Sequence, residues 1–182
     1  GWTPTSVLGS CSTDTFSGIG PPPLRSGDTL EGQASGLDSI GAFHRPCRVL
    51  TQSAGTMRVV APDSRLLGGP WRVLSSARSG VRLGGGSVVG DGAATSTPLV
   101  TGAIQATPSG ELIVIGRDGG VSGGYPLVGV VATCDLDALS TAAVGAPVRF
   151  AATSPGDAAE SYRDSMKELA ASLVPPSALA SH

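Results

Sequence analysis

Asp118, Ser122 and Tyr125 stand in one glycine-rich stretch, Asp118-Gly119-Gly120-Val121-Ser122-Gly123-Gly124-Tyr125-Pro126. Successive glycines allow a loop to turn backbone N–H groups toward an anion or a polarised carbonyl oxygen. Gly119, Gly120, Gly123 and Gly124 form this candidate donor loop. Ser122 adds a hydroxyl, and Asp118 can act as a base or orient a substrate N–H. Gln105 precedes them in Gly102-Ala103-Ile104-Gln105, followed by the tight turn Thr107-Pro108-Ser109-Gly110. A plain hairpin connection with glycine at positive φ fits the same residues, so both readings stay open.

Two further clusters are polar. Arg78 and Arg82, in Ser75-Ser76-Ala77-Arg78-Ser79-Gly80-Val81-Arg82-Leu83, lie four apart. They either point to one side and clamp a carboxylate or phosphate, or stand solvated near a strand end. Gly9-Ser10-Cys11-Ser12-Thr13-Asp14 puts hydroxyls beside an acid, which binds a polar ligand or caps a turn. Histidine is restricted to His44 and His182, which argues against a His-based metal site or a Ser-His-Asp triad. Cys11, Cys47 and Cys134 are odd in number, far apart and form no C-x-x-C. They read as small buried residues of a reducing, cytoplasmic protein.

The elements that must position these residues are mainly β. Thr56 to Ala61, Trp71 to Ser76, Leu112 to Gly116, Val128 to Cys134 and Pro147 to Thr153 are short runs rich in Val, Ile and Leu, bounded by turn residues. Strands this short, with Gly-rich turns between them, suit a barrel or sandwich. Ser154-Pro155-Gly156-Asp157 reads as N-cap, N1 proline and capping-box acid. Tyr162, Met166, Leu169 and Leu173 follow as one apolar stripe, and Pro175-Pro176 ends the helix. The stripe packs on the barrel or receives a partner. Residues 1–36 read as a loop-rich end of an incomplete subdomain, 37–47 as a linker, and 48–182 as the barrel domain with its C-terminal helix. A net charge of −2 without a basic block argues against nucleic acid. No apolar run approaches a membrane span, and residues 1–9 do not read as a signal peptide.

The motifs, in this order, resemble the KipA-type family, whose members are also named as the C component of 5-oxoprolinase or as allophanate hydrolase subunit 2. Its G-S-x-S-T-D stretch is matched by Gly9 to Asp14, and its P-L-x-x-G-D by Pro23 to Asp28. S-D-R-x-G-x-R-L is matched by Ser76 to Leu83, with Ala77 in place of the acid. G-A-I-Q-x-x-P-x-G is matched by Gly102 to Gly110. D-x-x-x-T-G-G-Y-P is matched from Asp118 to Pro126, with Ser122 for Thr and Gly120 where many members carry Gln. Val148-Arg149-Phe150 resembles the family's closing strand.

The resemblance implies a cyclophilin-like β-barrel and a chain that corresponds to the family's C-terminal part. A chain starting mid-domain is then expected to leave strand edges unpaired and to need its missing N-terminal half or a partner. It further implies a component of an ATP-dependent 5-oxoprolinase, which opens the lactam of 5-oxoproline to glutamate. The implied partners are subunits of the KipI type and of the LamB/YcsF type, with ATP and Mg used at the level of the complex. On that reading Gly123, Gly124 and Ser122 line the oxyanion or phosphate side. Arg78 or Arg82 neutralises phosphate or carboxylate, Asp118 and Tyr125 orient the lactam, and Gln105, Ser12, Thr13 and Asp14 are further binding candidates. Two alternatives remain: a biotin-dependent carboxyltransferase acting on urea or a similar amide, and a non-enzymatic antagonist of a KipI-type kinase inhibitor.

Overall fold

The structure is a computed structural model that describes residues 5–14, 17–32, 55–90 and 95–172. The chain divides into two compact units, Gly1–His44 and Arg45–His182. The expected linker 37–47, with His44 and Cys47, lies outside the described residues, as do His182, Leu173 and Pro175-Pro176.

The second unit carries β1 (Thr56–Val60), β2 (Trp71–Ala77), β3 (Gly80–Gly84), β4 (Thr97–Pro98), β5 (Ala103–Ala106) and β6 (Leu112–Ile115). They are followed by β7 (Ser122–Gly123), β8 (Leu127–Val131), α1 (Leu136–Ser140), β9 (Pro147–Thr153) and α2 (Pro155–Ser172). Seven strands close into a barrel in the order β1-β8-β5-β6-β3-β2-β9, while β4 and β7 form a separate two-stranded sheet. Closure comes from the parallel pairing of Thr56–Val60 with Arg149 through Thr153. The expected unpaired edges are therefore absent from this barrel, because its first and last strands satisfy each other's backbone groups.

Period-two patterning places the core. Trp71 and Val73 of β2 and Val148 and Phe150 of β9 point inward, and Arg72, Leu74, Pro147 and Arg149 point out. Trp71 is fully buried and donates its indole N–H to the Leu66 carbonyl at 3.0 Å. That bond lets a polar ring edge sit in an apolar core. The strand expected to run through Cys134 stops at Val131, and Thr133–Asp135 form a 3-10 turn. The Ala132 N–H donates to the Arg58 carbonyl at 2.8 Å, the last bond in the β1–β8 register, and the chain turns after it.

The C-terminal helix begins as its cap predicts. The Asp157 N–H donates to Ser154 Oγ at 3.1 Å, and that hydroxyl donates to the Asp157 carboxylate at 2.7 Å. Tyr162, Met166 and Leu169 each remain about two-fifths exposed. Among the described residues no helix is long and apolar enough to cross a membrane.

Candidate functional site

One end of the barrel is built around a close approach of two turns. The β2–β3 hairpin turns at Arg78 and Ser79, since Ala77 pairs with Gly80. The chain leaving β6 is laid against it: the Gly116 N–H donates to the Ser79 carbonyl at 2.9 Å and the Asp118 N–H to the Arg78 carbonyl at 3.1 Å. A Cβ on Gly116 would stand 2.3 Å from the Arg78 carbonyl oxygen, so the approach requires glycine. The result delivers Asp118 to Arg78, with Oδ2 2.6 Å from Nε.

The short helix α1 crosses beneath. Ser76 Oγ donates to the Ser140 carbonyl at 2.8 Å, and Arg117 Nη2 bonds Asp137 Oδ1 at 2.9 Å. Between hairpin, β6 end and helix lies a cavity of about 200 Å³. Its walls are largely apolar, with Val81, Val114, Ile115, Leu136 and Leu139, and its polar groups include Arg78, Asp118, Arg117 and Asp137. The α1 floor is fastened to the barrel by Asp135, whose carboxylate takes the backbone N–H of Arg58 at 2.7 Å and the guanidinium at 2.5 and 3.0 Å. The Asp135 side chain is 3% exposed and that of Arg58 35%.

A second group forms on the outer face of β5. Ile104 and Ala106 face the core, so Gln105 points outward, yet it is only 4% exposed. The loop before β8 covers it. Gln105 Nε2 donates to the Tyr125 carbonyl at 2.9 Å, and the Ala106 N–H donates to the Pro126 carbonyl at 3.0 Å. A Cβ on Gly123 would stand 2.6 Å from Gln105 Nε2. Ser122 and Gly123 pair with Pro98 and Thr97. Ser122 is exposed, Gly124 half-buried and Tyr125 exposed.

The sequence-named residues thus separate. Arg78 and Asp118 line the cavity, whereas Gln105, Ser122, Gly123, Gly124 and Tyr125 do not. Arg82 does not share a target with Arg78: its Nη1 lies 3.7 Å from Glu111 Oε2, before β6 begins, while Asp118 follows the end of β6. In the first unit Thr13 donates its hydroxyl to the Pro21 carbonyl at 2.5 Å. Asp14 accepts from the Ser17 hydroxyl at 2.5 Å, and Ser12 N–H donates to Ser10 Oγ at 3.1 Å. These contacts hold local turns. Among the described residues no cluster of His, Cys, Asp and Glu is placed to hold a metal ion.

The family description "Carboxyltransferase domain, subdomain A and B" matches residues 1–152. The chain belongs to this carboxyltransferase-domain, KipA-type family. This member is 29% identical over 174 residues to the C subunit of 5-oxoprolinase from Escherichia coli K12, covering 88% of this chain and 56% of that protein. It spans little more than half the length of that relative. A shorter match, 37% over 62 residues, covers 34% of this chain and 20% of the corresponding 5-oxoprolinase component of Haemophilus influenzae. The crystal structure of TTHA0988 superposes with a TM-score of 0.55 at 29% identity, over 80% of this chain and 31% of that one. The Kluyveromyces lactis urea amidolyase, 21% identical with a TM-score of 0.55 over 66% of this chain and 9% of its own, shares the fold.

In this KipA-type chain, sequence reasoning passed over Arg117, Asp137, Arg58 and Asp135. The one available signal was the acid pair Asp135-Leu136-Asp137, whose two carboxylates go to different arginines. The ion pair with Asp137 raises the pKa of Arg117, and the hydrogen bonds that Arg58 donates to Asp135 raise that of Arg58. Burial, aided by the neighbouring Asp135 carboxylate, pushes the Cys134 thiol up. A raised thiol pKa leaves less thiolate at a given pH. Cys134 is therefore expected to alkylate more slowly at pH 8 than a free thiol and to speed up only in stronger alkali. Peptide mapping after timed iodoacetamide treatment checks this, and a rate equal to that of an unstructured cysteine peptide contradicts it.

Proposed function

We propose that this protein is a component of an ATP-dependent 5-oxoprolinase that opens the lactam of 5-oxoproline to glutamate. The observation that carries the reading is the similarity to the C subunit of 5-oxoprolinase, which extends over 88% of the chain. Its partners on this reading are subunits of the KipI type and of the LamB/YcsF type, with Mg-ATP used by the assembled complex.

The chemistry needed is polarisation of an amide. Resonance makes the lactam carbonyl unreactive until its oxygen is phosphorylated or held by aimed donors. Asp118 is the residue we assign to the lactam N–H, and Arg78 to the substrate carboxylate or phosphate. The supporting geometry is their 2.6 Å pair beside a largely apolar cavity. Ser122, Gly123, Gly124 and Tyr125 then act from the second group, as a surface completed by another subunit.

The family description favours one other reading, a biotin-dependent carboxyltransferase acting on urea or a similar amide. Reconstitution separates the two. ATP-dependent glutamate release from 5-oxoproline by the assembled subunits, abolished when this chain is left out, is the expected result. Folded and assembled subunits that release no glutamate, yet carboxylate urea when biotin carrier is added, would overturn it.

A further inference from the structure

Arg117 and Asp137 belong to none of the sequence motifs, yet they stand on the same cavity as Arg78 and Asp118. The cavity therefore presents two guanidinium groups and two carboxylates over an apolar interior. Formal charge around it sums to zero, which is a poor match for a triphosphate and a good match for a ligand that brings one anion and one N–H donor. The volume points the same way. Sites for drug-sized ligands run to about 300–1,000 Å³, and this one is about 200 Å³. It is also far from a nucleotide cradle, which uses a glycine loop leading into a helix N-terminus.

The ion pairs are made in a way that leaves room for exchange. Arg78 meets Asp118 through Nε, and Arg117 meets Asp137 through Nη2. A guanidinium carries five N–H donors, so a ligand carboxylate can be added beside either acid. The four side chains are 48 to 83% exposed, so rearrangement at the mouth is inexpensive in desolvation. The interior walls, Val81, Val114, Leu136 and Leu139, are buried members of the barrel core and hold their shape.

We infer that the barrel-end cavity binds a small carboxylic acid with a compact apolar body and an amide or amine N–H. Arg117, together with Arg78, takes the carboxylate, and Asp118 or Asp137 takes the N–H. The nucleotide of any ATP-dependent reaction is held elsewhere in the complex. The class of acid rests on the proposed 5-oxoprolinase reading only in its choice of first probe.

The test is direct binding to the 182-residue chain by ligand-observed NMR and calorimetry. The probes are 5-oxoproline, 2-pyrrolidinone (no carboxylate), cyclopentanecarboxylate (no N–H) and Mg-ATP. Two variants locate the site. Arg117→Gln removes a guanidinium, and Ala77→Phe plugs the mouth from an exposed strand position without touching the core. The expected result is 5-oxoproline binding that weakens roughly tenfold or more in Arg117→Gln, vanishes in Ala77→Phe, and is not displaced by Mg-ATP. Both analogues are expected to bind more weakly than 5-oxoproline. Melting curves of the two variants are expected to match the parent. Absent binding, binding indifferent to both variants, or displacement by Mg-ATP overturns the inference. Turnover by the complex with no binding in this cavity sinks the cavity assignment alone. Binding of another small amino acid here, with an assembled complex that does not release glutamate, sinks the 5-oxoprolinase reading alone.

Discussion

Replacement of Arg58 by Met is expected to lower the stability of the barrel by about 3 kcal/mol or more, toward the low end of what breaking a buried ion pair does. The reason is the asymmetry of the pair. Asp135 is 3% exposed at its side chain and keeps the backbone N–H of residue 58 and the Cys134 thiol, but no cation, when the guanidinium is gone. A carboxylate left in that position lacks both water and a counter-charge. The reverse change, Asp135→Ala, leaves a guanidinium that is 35% exposed and can turn to solvent, so its effect is expected to be smaller. An apolar pair, Arg58→Met with Asp135→Leu, is expected to recover much of the loss, since a well-packed apolar pair often replaces a buried ion pair at little cost. For a chain of this size the melting temperature of Arg58→Met should fall by roughly 10 °C. Calorimetry of the four proteins checks the order. Equal effects of the two single changes would mean that the stranded carboxylate is not the main source of the loss. Because Asp135 leads directly into α1, which carries Leu136, Asp137, Leu139 and Ser140 to the cavity, the same change should weaken small-acid binding there.

Gly123→Ala is the second large effect expected, and it acts on the other group of residues. Its Cβ would enter to 2.6 Å from Nε2 and 2.8 Å from Oε1 of Gln105 and 2.8 Å from Leu99 Cδ1. Leu99 can move aside. The Gln105 amide is 4% exposed and bonded to the Tyr125 carbonyl, so it yields only by losing that bond or lifting the loop. Overpacking of this kind costs about 1–3 kcal/mol. In the reconstituted complex, turnover below the melting transition is expected to fall on the order of a hundredfold, as a misplacement of about 1 Å does in a positioned site. Gln105→Ala makes room for the new methyl, so the double variant should lose less stability than the sum of the two single changes. Strict additivity, or a Gly123→Ala protein with the parent's melting temperature and turnover, would show that the close approach has no consequence.

The relation between sequence and structure is uneven across the two groups. Gly123, Ser122 and Tyr125 are visible as a motif, which reads as a donor loop or a hairpin connection, and the fold shows a close backbone approach at Gly123. What it approaches, the buried Gln105, lies well upstream on another strand and is identified only by the pairing of β5 with β8. Spacing leaves Arg78 and Arg82 open as one clamp or as two solvated side chains near a strand end. In the fold Arg78 occupies a hairpin turn and Arg82 a strand, so they reach acids at opposite ends of β6.

The sequence alone determined the mainly β character, the helix start at Ser154, and five of the strands to within a few residues. Each of these rests on a local rule: period-two burial, the reciprocal cap of Ser154 and Asp157, and turn residues between short apolar runs. The two-residue strands β4 and β7, the Gly-, Ala- and polar-interrupted strands β3 (GVRLG) and β5 (AIQA) and the five-residue helix α1 carry too little apolar pattern to declare themselves, and their placement comes from tertiary contact. Barrel closure through β1 and β9, the Arg58–Asp135 clamp and the Arg117–Asp137 pair join residues far apart in the chain. Spacing cannot encode such pairs, because no local conformational preference changes when a charge meets its partner from 20 or 77 residues away. Only the closed barrel brings Arg117 and Asp137 to the cavity that Arg78 and Asp118 share, since the hairpin turn, the end of β6 and α1 converge there and nowhere in the linear order.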